Sequence, residues 1–254
     1  MSGAGNDFVL IDARDRKLDF ENLAKSLCAQ YDADGFFAFD RSERADARLH
    51  FYNRDGLRGE LCGNGTRCAC HLARLLGFQK ELLTFETDAG LVQTEYLGND
   101  QYRMQLPLPS VWEKSLRPDA LYYEVGYPGL PHCYTQIPDL DYSQREQLRN
   151  YAKEIRHDPV FPKGVNVNFY RMLDKNRARL LTYERGVEDY TLACGTGSAC
   201  LAVLLWQQGW LTDGPLEVEN PGGTLTIELA HDHRLQTIYL SGPATLLNTY
   251  DIPN

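Results

Sequence analysis

Basic residues are in short supply: 26 lysines and arginines stand against 35 aspartates and glutamates, for a formal net charge of −9, and no stretch gathers them into a patch. A nucleic-acid partner is therefore not expected. Long apolar runs are also missing, since stretches such as "LAVLLW" from Leu201 fall far short of the roughly 20 residues of a bilayer-spanning helix. The opening "MSGAGNDFVLIDARDR" has no basic segment followed by an apolar one. No membrane partner is expected, and the expected location is cytoplasmic. The chain has seven cysteines but no paired C-x-x-C arms with histidines at finger spacing, which argues against structural zinc, and no metal site is expected. An odd cysteine count in a chain too long for a disulfide-stapled miniprotein reads as reduced thiols.

What is present is a chain of 254 residues, 43% hydrophobic, enough for one large domain or two smaller ones with a sizeable core. Its cysteines are placed by repetition. "CGNGTRC" from Cys62 and "CGTGSAC" from Cys194 share the string C-G-x-G-x-x-C, so that Cys62 overlays Cys194 and Cys68 overlays Cys200. Downstream, "LTFETDAGLVQTEYL" from Leu83 aligns with "LEVENPGGTLTIELA" from Leu216; upstream, "LHFYNRDG" from Leu49 aligns with "LLTYERG" from Leu180. Three matched blocks in one order argue for an internal duplication.

Each half then reads as strands, a Gly-rich loop, one helix and a hairpin. In "SACLAVLLWQQG" apolar residues occupy nearly every position after the first turn, the pattern of a helix buried on most sides. Gly77 and Gly209 stand where helix C-terminal caps are expected. Short strands bounded by turns such as "YNRDG" and "NPGG" predict a curved sheet around that helix. The expected fold class is α+β: two pseudo-symmetric domains, each a curved, mostly antiparallel sheet around a central buried helix. The proline-bearing segment "LPLPSVWEKSLRPDA" sets the expected domains as 1–115, rejoined by a last strand at 244–254, and 116–243.

A cysteine just ahead of a glycine loop that opens a helix sits at the positive end of the helix dipole, beside N–H groups with no partner inside the helix. A thiol there is expected to ionise more readily, and the N–H groups offer a site for a carboxylate. Small loop residues let a ligand approach the backbone. Two such sites facing one amino acid would put a thiol on either side of its Cα. Removal of the proton by a thiolate on one face, and return by a thiol on the other, inverts the centre with no cofactor as electron sink. The bland alternative is that Cys62 and Cys194 are small core residues, cysteine being among the most buried types. That accounts for one such string; packing does not ask for thiol and glycines together twice. Cys68 and Cys200, inside the helices, read as packing, as do Cys28, Cys70 and Cys133.

"GAGNDF", "FYNRDG", "CGNGTRC", "PHC", "GVNVNF", "YERG" and "ACGTGSAC" run in this order along nearly the whole chain, and together they resemble the diaminopimelate epimerase family of cofactor-independent two-thiol racemases. Proline racemases and hydroxyproline epimerases share the paired-cysteine plan but typically read C-G-H-G where this chain has C-G-N-G. The resemblance implies that Cys62 and Cys194 are the acid/base thiols and that His132 and Glu184 adjust their protonation. It implies that Gly63 with Asn64, and Gly195 with Thr196, hold the reacting carboxylate. Asn6, Asn53, Asn166, Glu184 and Arg185 are then implied around the substrate, Arg185 as the clamp for a distal carboxylate. The implied activity is PLP-independent epimerisation of LL- to meso-diaminopimelate, in lysine and peptidoglycan precursor synthesis. It implies a small amino-acid partner, no cofactor and no metal, and leaves a homodimer open. Outside the family pattern, Asn53 reads as a turn former and His132 as a surface or satisfied core residue.

Three departures accompany the resemblance. Leu130 stands where the family usually has a polar residue, typically asparagine, before its Pro-His. Losing such a contact costs about 1–3 kcal/mol unless another group replaces it. This keeps a second reading in view, a racemase of another polar amino acid; a third is a catalytically silent amino-acid-binding homologue. "DADGF" from Asp32 replaces the family's G-A-D-G. Finally, a short strand normally precedes the first Gly-rich turn, whereas Met1 stands almost on that turn, so an altered sheet edge is expected. Two such thiols at one Cα are also expected to close into a disulfide without reductant, abolishing activity.

Overall fold

Short β-favouring runs separated by glycine and aspartate turns are the commonest elements of the chain, and among the described residues two α-helices stand in each half. The computed structural model describes residues 1–126 and 129–251. The chain divides into two units, Met1–Gln105 with Ser241–Asn254, and Leu106–Leu240.

In the first unit the order is β1 (Ser2–Gly3), β2 (Asn6–Asp12), α1 (Phe20–Tyr31), β3 (Gly35–Asp40), β4 (Ala47–Asn53), β5 (Arg58–Gly59), α2 (Gly63–Leu75), β6 (Leu82–Thr87), β7 (Gly90–Gly98) and β8 (Gln101–Leu106). β2 pairs with β3 in parallel, β3 with β4 and β4 with β5 antiparallel, β4 with β6 in parallel, and β6 with β7 antiparallel. Alternation puts Phe37, Phe39, Leu49, Leu83 and Phe85 on the inner face, packed on Cys68, Ala69 and Ala73 of α2.

The second unit runs β9 (Pro109–Arg117), β10 (Ala120–Val125), β11 (Leu130–Gln136), α3 (Arg145–Arg156), β12 (Asn166–Asp174), β13 (Arg177–Glu184), β14 (Asp189–Tyr190), α4 (Gly195–Gln207), β15 (Leu216–Asn220), β16 (Gly223–His231) and β17 (Leu235–Pro243). β11 pairs with β12 in parallel, β12 with β13 and β13 with β14 antiparallel, β13 with β15 in parallel, and β15 with β16 antiparallel. The ladder β2–β7 is thus repeated, pair for pair and sense for sense, by β11–β16. Even an ion pair recurs. Arg48 of β4 lies opposite Glu86 of β6 with Nη1–Oε1 at 3.1 Å, and Arg179 of β13 lies opposite Glu219 of β15 with Nη2–Oε2 at 3.1 Å.

α2 and α4 begin and end alike. Each has an extended cysteine at its N-cap, Cys62 (φ −132°, ψ 114°) and Cys194 (φ −119°, ψ 108°). Each ends on a left-handed glycine, Gly77 (φ 92°) and Gly209 (φ 74°). The N–H groups of Gly77 and Phe78 donate to Arg74 and Ala73 carbonyls, and those of Gly209 and Trp210 to Trp206 and Leu205, at 2.9–3.0 Å; this double closure satisfies carbonyls the helix would otherwise leave orphaned. α4 is buried from Gly197 to Leu205, as its unbroken apolar run requires.

Four features differ from the sequence expectation. Among the described residues each unit has two α-helices rather than one: α1 buries Ala24 and Cys28, one turn apart, and α3 buries Ala152 and Ile155. The unit boundary lies at Gln105/Leu106 rather than at 115, because the proline-bearing segment is itself a strand, β9, paired with β10. The last strand, β17, stops at Pro243. Residues 244–251 form no strand beyond the Ser2–Thr245 bridge, and 252–254 lie outside the described residues. At the other end a two-residue strand, β1, does precede the first turn, pairing antiparallel with β2.

Candidate active site

Cys62 is half-buried at the start of α2. Thr66 ties the first turn down, its N–H and Oγ1 both donating to the Cys62 carbonyl at 2.8 Å. Side chains beside it form a polar line: Asn6 Nδ2 donates to Asp34 (3.1 Å), Asn64 Nδ2 to Asn6 Oδ1 (2.8 Å), and Arg67 Nη2 to Asn64 Oδ1 (2.8 Å). Arg67 is fully buried. Its other acceptors, the carbonyls of Gly63 and Pro243, are also neutral, and among the described residues no carboxylate pairs with it. Burial lowers its pKa to about 10. Gly65 lets α2 sit on β3, since a Cβ there would meet Phe37 Cε2 at 2.1 Å.

In the second unit Cys194 is 7% exposed. Its Sγ accepts from Gly197 N–H at 3.4 Å and lies 3.7 Å from Thr196 Oγ1. Ser198 repeats the role of Thr66, its Oγ donating to the Cys194 carbonyl at 2.9 Å. His132, on β11 and wholly buried, has Nε2 at 3.1 Å from Thr196 Oγ1 and Nδ1 at 3.2 Å from Asn168 Nδ2. Burial first, and the positive charge of Arg185 second, push the His132 pKa down to about 3. Asn166 donates to the Pro131 carbonyl (3.1 Å) and accepts from Arg185 N–H (2.8 Å), while Arg185 Nη1 donates to the Lys163 carbonyl (2.8 Å). Glu184 closes β13 opposite Asp189.

The remaining cysteines are in a different environment. Burial pushes the thiols of Cys28 and Cys70 up to about 11 and those of Cys68 and Cys133 up to about 12, and raises Cys200 as well. These are packing residues. Among the described residues no three His, Cys, Asp or Glu side chains converge as a metal site.

The diaminopimelate epimerase family model matches residues 1–107 and 125–247. A diaminopimelate epimerase from Chlorobaculum tepidum is 34% identical over 251 residues, covering 96% of both chains. One from Archaeoglobus fulgidus is 33% identical over 267 residues, covering 96% of this chain and 92% of its own. The chain belongs to the diaminopimelate epimerase family. Solved structures share the fold at lower identity. A Bacillus anthracis phenazine biosynthesis protein of the PhzF family has a TM-score of 0.72 at 17% identity, covering 96% of this chain and 92% of its own. A probable proline racemase from Agrobacterium radiobacter has a TM-score of 0.67 at 16% identity, covering 92% and 81%.

In this diaminopimelate epimerase family chain, the residues singled out from sequence fall into groups. Cys62, Gly63, Asn64 and Asn6 gather at the start of α2; Cys194, Gly195, Thr196 and His132 gather at the start of α4. Asn166 and Arg185 are joined by a hydrogen bond. Asn53 is exposed at the last position of β4, its carbonyl accepting from Gly56 N–H at 2.9 Å, and among the described residues no hydrogen bond of its side chain ties it to either helix start. Leu130 is half-buried at the first position of β11, opposite Val125. Two residues escaped the sequence reading, Arg67 and Asn168.

The neutral, buried His132 has a consequence for stability. Its folded pKa, about 3, lies below the ordinary histidine value near 6.5, so the unfolded chain binds a proton in this window and the folded chain does not. Stability is fully present above about pH 6.5 and falls as pH drops towards 3. Replacing His132 with glutamine is expected to flatten that part of the pH–stability curve, measured by urea unfolding across the window.

Proposed function

We propose that this protein interconverts LL- and meso-diaminopimelate without PLP or a metal ion, with Cys62 and Cys194 as the two acid/base thiols. The observation carrying this reading is that two copies of one ladder each set a cysteine at the N-cap of a buried helix behind a C-G-x-G loop. In either copy the first free N–H groups suit a carboxylate, and the helix dipole favours the charge that accumulates there as the Cα–H bond breaks. One thiolate takes the proton and the other thiol returns one. His132, linked to Cys194 through Thr196, and Glu184 adjust protonation; Gly63, Asn64, Gly195 and Thr196 hold the reacting carboxylate; Asn6, Asn53, Asn166 and Arg185 contact the rest of the substrate.

The reading places the reaction in lysine and peptidoglycan precursor synthesis, in the cytoplasm, where a reducing environment keeps such thiols active. All seven cysteines are free thiols in the structure. The partner is the amino acid itself, and a homodimer is compatible with this chemistry. Leu130 favours a second reading, in which the same machinery racemises another polar amino acid, because its side chain offers no hydrogen bond.

Proton NMR in D2O decides between them. Incubated with reductant and without PLP, LL-diaminopimelate is expected to lose its Cα–H signal and to yield the meso isomer, while a panel of L-amino acids stays unchanged. Exchange of a different amino acid would transfer the mechanism to that substrate. Silence across the panel would sink the enzymatic reading and leave a binding homologue.

A further inference from the structure

His132 is held from behind by a side chain that no sequence motif singled out. Asn168 of β12 is fully buried. Its Oδ1 accepts from Thr182 Oγ1 at 2.9 Å, and its Nδ2 donates to the Cys133 carbonyl at 3.0 Å and the Asn166 carbonyl at 3.2 Å and lies 3.2 Å from His132 Nδ1. A flipped amide would press its oxygen against two carbonyl oxygens, so the orientation is set by the backbone. An imidazole nitrogen facing an NH2 group cannot carry a proton. The ring is neutral in this buried place, its proton therefore sits on Nε2, and that N–H points at Thr196 Oγ1.

We propose that Asn168 is a positioning residue that locks His132 as the Nε2–H tautomer and so turns the Thr196 hydroxyl to donate to Cys194 Sγ. With its lone pair taken by Nε2–H, the hydroxyl has its own hydrogen free for the sulfur 3.7 Å away. Gly197 N–H is the second donor on that sulfur. Two donors favour the thiolate over the thiol, whose S–H would have to turn elsewhere. The proposal rests on the epimerase reading for its purpose, but the tautomer is a property of the resting protein.

The first unit shows that this chain of contacts is an addition to the shared scaffold. By the register of the repeated ladders, His132, Asn168 and Thr182 occupy the places of Phe8, Phe37 and Phe51. Those three rings pack on one another, Phe8 edge-on to Phe37 at 5.6 Å and Phe37 stacked on Phe51 at 4.7 Å. The helix-start glycines confirm the equivalence: a Cβ at Gly65 would strike Phe37, and one at Gly197 would lie 2.7 Å from Asn168 Oδ1. One copy has an apolar cluster beneath its helix, and the other a hydrogen-bonded chain ending at a thiol.

Nitrogen-15 NMR of histidine-labelled protein, with the His132 resonances assigned by their loss in His132→Gln, tests the tautomer directly. Wild-type protein at neutral pH is expected to show a protonated Nε2 and a bare, pyridine-type Nδ1. In Asn168→Asp the carboxylate accepts from Nδ1, so that nitrogen is expected to become protonated, and the pH profile of kcat/KM to gain a His132 ionisation that wild type lacks. Thr196→Val, which keeps the backbone N–H, is expected to lower kcat on the order of 10- to 100-fold with KM little changed, and Thr196→Ser to restore it. A proton on Nδ1 in the wild-type spectrum overturns the proposal, whether or not the variants fold. So does an Asn168→Asp protein with Nδ1 still bare. Loss of substrate exchange in wild type would instead count against the epimerase reading and leave the tautomer result standing.

Discussion

Alanine at Cys62 or at Cys194 is expected to lower epimerisation by at least on the order of 10²- to 10⁴-fold, with the fold intact. Each substitution removes one sulfur from a helix N-cap whose backbone ties, Thr66 to Cys62 and Ser198 to Cys194, do not involve the thiol. A circular dichroism melt should therefore move little for Cys62→Ala, and fall for Cys194→Ala by the loss of the Sγ cap on Gly197 N–H, about 0.5–2 kcal/mol. The two variants should also differ in a way that simple damage cannot reproduce. The surviving thiol can still remove a proton and return it to the same face, so each variant is expected to wash deuterium into one stereoisomer without inverting it, and the two variants into opposite stereoisomers. If both exchange the same isomer, or either epimerises at the wild-type rate, the assignment of one thiol to each face is wrong.

The second large effect is on packing. Gly65→Ala would place its Cβ 2.1 Å from Cε2 and 2.4 Å from Cζ of Phe37, a buried ring wedged between Phe8 and Phe51. The ring has nowhere to go, so helix and strand must separate. Overpacking of this kind costs about 1–3 kcal/mol, which for a chain of this size lowers the melting temperature by roughly 2–4 °C per kcal/mol. Gly197→Ala meets a different neighbour. Its Cβ would crowd Asn168 Oδ1 at 2.7 Å and Cys194 Sγ at 3.2 Å, so turnover is expected to suffer more than stability. Thermal melts and kcat for the two variants, measured side by side, check the contrast.

These expectations separate what short-range pattern reveals from what only assembly reveals. The starts of α2 and α4, their glycine ends and the duplication were legible because each depends on a few adjacent residues: a cysteine, spaced glycines, an apolar run. α1 and α3 had comparable signals, Ala24 with Cys28 and Ala152 with Ile155 at helical spacing, but the repeat blocks do not include them. Asn168 left one faint trace. It stands two residues after Asn166 in "GVNVNF", and alternation along a strand turns both to the same face. Its role was illegible because its partners, His132 and Thr182, arrive on different strands. Arg67 is inside the quoted "CGNGTRC" yet gave no sign of burial, since one of its acceptors, the Pro243 carbonyl, comes from the far end of the chain.

That far end has a bearing on the order of assembly during synthesis. Ser2 and Thr245 exchange backbone hydrogen bonds at 2.8 and 2.9 Å, Ala244 N–H donates to the Asp100 carbonyl, and the Ala244 carbonyl meets His71 Nδ1 at 3.0 Å. The first unit is thus translated first and completed last. Until residues 243–245 leave the ribosome, the Arg67 guanidinium lacks one of its acceptors and β1 its outer partner. The second unit, Leu106–Leu240, is by contrast continuous in sequence. Closing the first unit therefore needs two segments separated by the whole of the second to meet, a pairing of distant parts of the sequence that slows folding.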